Sequence, residues 1–421
     1  MSIDNKPDDQ DYYAHGFLSV DGEKGKHRAY GGYLRQRPMP RPPRPEANWP
    51  ELDMMDEVRL AVDLGLDGFC YDILGTQGTH WNRLLLLLDA AQKVDPGFKI
   101  MLMPDMMAEL RSKPERLGPA ILEVARHPSI LRDERDRLVL APYMANCQSL
   151  EWWQAVFADL RKQGVEVKFV PLFQAWWKYA DEYAPISDGF SDWGAATVDE
   201  VMGGRRTSPQ KCHAYGKLWM APIRPQDFRP KSCVAWEAAN TELFRSMWQI
   251  AIEGQAEWAQ VITWNDYSEA SEIAPSTETR RGFYDLTAYY TTWFKDGRAP
   301  AIVRDAIYGT YRVQPTDGKP DPARQPKPMK VVGTPSDRIE LLAFLTAPGT
   351  LEIEVGGKVS RQEAPAGITS FKTPLTAGTP VFRLVRNNAV KLQLTGARAI
   401  ALDNIVFQDL LYRADGVVAQ P

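Results

Sequence analysis

Two carboxylates three positions apart, Asp266 and Glu269, stand in the stretch VITWNDYSEAS (residues 261–271), where an apolar run turns abruptly polar. Trp264, Asn265 and Tyr267 lie among them. Acids with aromatic and amide neighbours are the side chains that cleavage of a glycosidic bond needs. One carboxylic acid protonates the leaving oxygen, and a second carboxylate activates water or attacks directly. Flat aromatic faces hold sugar rings, while Asn and Asp read hydroxyls. The same spacing fits a helix start, with Asp at the N-cap and Glu three residues on. The motif alone leaves both open.

Other polar residues end short apolar runs: Asp72 after Tyr71, Asp105, Tyr143 with Asn146, Asp192 with Trp193, and Arg224 with Asp227. Each has an ordinary structural alternative. Asp105 could cap a helix, Asp72 could pair with an arginine, and Trp193 and Trp264 could belong to the core. Their shared position at strand ends is what favours function. Asp72, Tyr143, Asp192, Trp193 and Arg224 join Trp264, Asn265 and Tyr267 as the expected sugar-contacting set. Glu272 is expected to face solvent. The five His show no metal-ligand spacing, and the chain has no HExxH, GxSxG or phosphate-loop signature. No metal or cofactor is expected.

The elements that must position these residues follow one rhythm from residue 28 to about 296: apolar strand, polar loop, amphipathic helix. Eight strands are expected, at 29–35, 68–74, 98–106, 137–144, 167–173, 189–194, 217–225 and 259–266. Strands alternating with helices mean a helix-covered parallel sheet. Eight units, without a glycine-rich turn after the first, predict a (β/α)8 TIM barrel, whose active face gathers the strand C-termini. Beyond it the alternation has period two, with Gly, Pro and Asn turns, and predicts a small antiparallel β-sandwich. The expected organisation is an N-terminal extension (1–27), a catalytic barrel (28–312), a Pro-rich linker (313–330) and the sandwich (331–415). Bracing the barrel is its expected role, since it shows no exposed aromatic row.

The 421 residues suit a large domain plus a smaller one, and 50 basic against 54 acidic side chains speak against a nucleic-acid partner. No run approaches the ~20 apolar residues of a membrane span, and the N-terminus carries no signal-peptide pattern. Cys70 and Cys147 are expected as core thiols. A Cys212–Cys233 disulfide is open but unsupported by spacing. The compartment stays open: extracellular if a signal was removed, otherwise cytoplasmic. The expected state is a monomer acting on a polysaccharide or oligosaccharide.

ITWNDYSE resembles the strand-eight motif of glycoside hydrolase family 71, the α-1,3-glucanases or mutanases, with Ser268 where the family has Gly. FKIMLMPDM, VKFVPLF, SDGFSDW, the segment from Asn48 to Ile73 and the C-terminal β-rich region resemble further parts of it. The resemblance implies metal-free, inverting endo-hydrolysis of α-1,3-glucan. It places the acid pair on Asp266, as general base, and Glu269, as general acid, with a third acid on Asp105. Departures at the strand-seven end, IRPQDFRP, and at Ala270-Ser271 touch the substrate-facing rim. A barrel glycosidase for another polysaccharide, or a non-catalytic carbohydrate-binding protein, are the alternatives.

Overall fold

The computed structural model describes residues 2–420. Its first half is built on parallel strands: β1 (Gly68–Ile73), β2 (Lys99–Pro104), β3 (Leu138–Leu140), β4 (Val167–Phe169), β5 (Leu172–Phe173), β6 (Gly189–Asp192) and β7 (Leu218–Ile223). A short antiparallel pair follows, β8 (Asp227–Arg229) and β9 (Val234–Trp236), and then β10 (Trp258–Val261). The parallel orders are β1-β2-β3-β4 and β10-β7-β6-β5. β4 and β5 are successive parts of one extended segment, so the two sheets form a single run. That run curls. Met103 of β2 meets Gln260 of β10, and Phe69 of β1 packs against Trp264, beyond β10, at 5.1 Å between ring centroids.

The pleat divides the side chains in two. Met101, Met103, Val139, Ala141, Val170, Leu172 and Met220 fill the inside of the curl. Ile100, Leu102, Leu138, Leu140, Phe169, Phe190 and Trp219 face the covering helices. These helices form where apolar residues recur at helical spacing. In Trp49–Asp63, with Pro50 in the first turn, Met54, Val58 and Ala61 are buried. In Glu242–Glu253 the buried face is Leu243, Phe244, Met247, Trp248 and Ala251.

The strand expected at 29–35 does not form. Gly31 and Gly32 both take positive φ, and the Arg35 guanidinium donates to the carbonyls of Tyr30, Gly31 and Gly32. An arginine thus takes up carbonyls that a neighbouring strand would otherwise pair. The segment continues across the loop after β10, where Pro38 bridges Ser276 and Gln36 donates to Glu272. Glu272, expected at the surface, is fully buried.

The C-terminal region stacks two antiparallel sheets. β11 (Ala306–Tyr311), β13 (Arg338–Leu345), β16 (Gly367–Pro374) and β19 (Arg413–Val418) make one. β14 (Gly349–Val355), β15 (Lys358–Ala364), β17 (Val381–Arg386) and β18 (Ala389–Thr395) make the other. Alternate residues such as Ile339, Leu341, Ala343, Leu351, Ile353, Phe382 and Leu384 meet between them. Its first strand lies upstream of the Pro-rich segment, so the boundary expected at 312 falls inside the sandwich. The segment 313–330 is also no free linker. Gln325 is buried against Gln408, and β12 (Lys330–Val332) pairs with β9. The two halves share buried polar contacts: Glu237 with Arg312 at 2.7 Å, Glu278 with Arg413 at 2.7 Å, and Glu340 with Thr241. Cutting such buried pairs apart strands charges in the interior.

Candidate active site

A residue two positions beyond an inward-facing one points the same way. Asp72 follows Cys70, Asp105 follows Met103, and Tyr143 follows Ala141. All three therefore stand over the C-terminal mouth of the curl, with Asp105 and Tyr143 on adjacent extended segments. Trp193 joins them, its ring 4.9 Å from that of Tyr143. Asp72 is open to solvent yet crowded by neighbouring protein atoms. Crowding first, then the charges of Asp105, Asp266 and Glu269, push its carboxyl up to about 7. Burial also raises Asp105, against hydrogen bonds from the amides of Met107 and Ala108.

Asp266 and Glu269 reach the same mouth from a turn beyond β10. Asp266 Oδ1 accepts from Ser268 N at 2.9 Å, Ser268 Oγ at 2.7 Å and Glu269 N at 3.1 Å. The capping geometry is therefore real, but it closes an isolated turn; the next helix is Gly282–Asp296. Phe228 N donates to Glu269 O at 2.7 Å, fixing the turn against β8.

Glu269 lies between acids and arginines. Its Oε1 meets Arg229 Nη1 at 2.8 Å, and its side chain is 18% exposed. Its Oε2 is buried and makes no hydrogen bond. Burial, then Asp266 and Asp227, push the carboxyl up to about 7, against Arg229 and Arg224. Arg229 is the group the sequence did not reveal. Asp227 holds it through Nε and Nη2, each at 2.7 Å, and Trp236 lies under the guanidinium at 5.0 Å. Its sequence signal is Arg-x-x-Asp-x-Arg (224–229), an acid between two arginines.

Several expected sugar contacts face elsewhere. Asp192 lies on the opposite side of its strand, with Phe190, and is 1% exposed. Its Oδ2 pairs with Arg205 at 2.8 Å and its Oδ1 accepts from Gly194 N at 2.6 Å. Burial pushes this carboxyl up to about 6. Arg224 is buried and donates to Asp227 Oδ2 and the Trp193 carbonyl. The Trp264 indole N–H donates to Glu57 at 2.6 Å, within the helix-facing wall. Tyr267 lies by Glu57, Glu272 and Tyr13, and burial raises its phenol well above the ordinary value. Asn265 is exposed on the turn. All four cysteines are free thiols. Among the described residues, no group of three or more His, Cys, Asp or Glu is arranged to hold a metal ion. No helix among them is long and apolar enough to cross a membrane.

The cleft thus collects Asp72, Asp105, Asp266 and Glu269 with Tyr143, Trp193 and Arg229. Acids poised near neutrality beside others that are hydrogen-bonded suit proton transfer to and from a bound substrate.

The family model for glycosyl hydrolase family 71 matches residues 45–409. The ascus wall endo-1,3-alpha-glucanase of Schizosaccharomyces pombe is 21% identical over 407 residues, covering 86% of this chain and 93% of the relative. A mutanase of Penicillium rubens is 23% identical over 369 residues, covering 82% and 80%. Among solved structures, the GH99 endo-alpha-mannosidase of Bacteroides thetaiotaomicron shares the fold, with a TM-score of 0.53, 18% identity, and coverage of 68% of this chain and 92% of that one.

Proposed function

Because the chain belongs to glycosyl hydrolase family 71, we propose that it cleaves α-1,3-glucosidic bonds within an α-glucan, with inversion, at the acid cluster of a (β/α)8-type barrel. In this reading the irregular 29–38 segment, which bridges the loop after β10, takes the part of the missing strand. The names of the relatives, endo-1,3-alpha-glucanase and mutanase, support the linkage. The "ascus wall" in one of them supports action on a polymer outside the cell. The enzyme acts as a monomer.

The observation that carries the chemistry is Glu269, a mostly buried carboxyl raised to about 7 with one oxygen unengaged. In mildly acidic solution it holds a proton, which it passes to the glycosidic oxygen. Arg229 on Oε1 then stabilises the carboxylate that remains. Asp266 is the base. Three donors pin its Oδ1 and fix the orientation of the carboxylate, so Oδ2 takes a proton from the attacking water. Asp105 orients that water or a sugar hydroxyl. Asp72 accepts a sugar hydroxyl, and Tyr143 and Trp193 give the ring an apolar wall.

The test is product analysis on a panel of α- and β-linked glucans, with the anomer of the first product followed by NMR. Internal cleavage of α-1,3-glucan that releases the β-anomer is expected. Cleavage confined to another linkage would overturn the substrate, and release of the α-anomer would overturn inversion.

A further inference from the structure

Trp177 is the one exposed tryptophan among the described residues, at 47% of its surface. It follows β5, on the C-terminal edge that carries Asp105 and Tyr143. The Arg205 guanidinium covers part of its ring, at 5.2 Å from the centroid. Arg205 is itself held, by Asp192 at 2.8 Å and by the Gln174 carbonyl at 3.3 Å. The Gln174 amide donates to the Tyr143 hydroxyl. Tyr143 in turn packs on Trp193 and feels the charges of Asp105 and Glu269. Contacts therefore run from an indole with nearly half its surface in water to Tyr143, on the extended segment beside Asp105.

Leaving that indole in solvent contributes little to folding, because the effect depends on apolar area removed from water. Burying Asp192 to anchor Arg205 is costly in its own right. Both features make sense as a mount. A ring backed by a fixed cation loses little freedom when a ligand settles on it. A flat apolar surface at the edge of a polar cleft matches the C–H face of a pyranose.

We propose that Trp177 is the sugar-stacking platform of a distal subsite, holding a pyranose unit of the same polymer chain that is cut at Asp266 and Glu269. Asp192 and Arg205 are its mount. This rests on the hydrolase function proposed above.

The experiment is steady-state kinetics of Trp177→Ala and Trp177→Phe on α-1,3-glucan oligosaccharides of increasing length. For Trp177→Ala, KM on long chains is expected to rise about three- to tenfold, the scale of one aromatic stacking contact. Turnover number should hold, as should both constants on the shortest chain that wild type cleaves. Trp177→Phe should restore most of the loss. An unchanged KM on long chains overturns the platform, as does an equal rise on the shortest. Wild-type enzyme that cleaves no α-1,3-glucan overturns the substrate proposed above and the platform with it. Normal wild-type cleavage beside an unaltered Trp177→Ala profile overturns the platform alone.

Discussion

Asp72 and Asp192 look alike in the sequence: each closes an apolar strand, each has an aromatic beside it, and each stands in the set expected to touch sugar. In the structure they have separate work. Asp72 shares the pleat face of Cys70 and opens onto the cleft, and among the described residues its carboxylate makes no hydrogen bond or ion pair. Asp192 shares the face of Phe190 and is buried on Arg205. Both carboxyls are raised, to about 7 and about 6, with burial first among the causes. The causes that follow differ in sign. Three other acids push Asp72 further up, while two arginines, Arg205 and Arg224, and a backbone amide pull Asp192 down. One residue of pleat parity separates a group available to substrate from a group that holds the scaffold.

The largest effect should come from the acids that complete the cleft side of this comparison. Asp266→Asn and Glu269→Gln are each expected to lower kcat by about 10² to 10⁴, the range for losing a general acid or base, with little change in Tm. Wild-type activity should fall as pH rises through about 7, because Glu269 must enter the reaction protonated and its carboxyl is raised to about that value. Kinetics across pH, with thermal unfolding of each variant, check both points. Full hydrolysis by Asp266→Asn would remove that residue from the chemistry.

A more direct break sets the two aspartates against each other. Asp192→Asn strands Arg205 and should cost about 2 kcal/mol of stability, with kcat on the shortest substrate retained. Asp72→Asn should leave stability equal or higher above neutral pH, since it removes a charge facing three other acids. It should lower kcat/KM roughly tenfold or more, the scale of one hydrogen bond between a charged group and substrate. Chemical denaturation and kinetics on the same preparations decide. The reversed pattern would mean that the faces are assigned the wrong way round.

Parity also explains how much the sequence revealed. Strand ends at Asp72, Asp105 and Tyr143 are legible because apolar runs stop there, and the acid pair because it stands among Trp, Asn and Tyr where an apolar run ends. Which face each side chain takes depends on register, and Asp192 and Trp264 turn to the helix side. Period-two alternation announces the sandwich, but β11 is separated from the other strands by the Pro-rich segment and reads in the sequence as part of the barrel. The 29–35 stretch has strand-forming residues, yet tandem glycines and a carbonyl-capping Arg35 prevail over them. Arg229 lies on a two-strand excursion whose pairing no local pattern marks. Glu272 reads as a surface acid because its partner Gln36 is far away in the chain.

Glu272 also supplies the smallest of the expected effects, and one that separates a buried acid from those of the cleft. It is fully buried, accepts from Gln36 Nε2 at 2.7 Å and from Thr279 Oγ1, and is pushed from 4.5 up to about 8, by burial first of all. The folded state therefore binds its proton more tightly than the unfolded chain does. Its contribution to stability is full below about 4.5 and is lost as pH rises through about 8. Glu272→Gln carries no titrating proton, and the site can accept the amide: Gln36 Oε1 is buried without a partner, so turning the Gln36 amide over offers an acceptor to the new NH2. The variant should show a shallower fall of Tm from mildly acidic to alkaline pH than wild type, with kcat unchanged. Thermal unfolding across that range measures it. An identical slope in the two proteins would mean that Glu272 is not protonated in the fold, and that the cleft carboxyls alone account for the pH dependence.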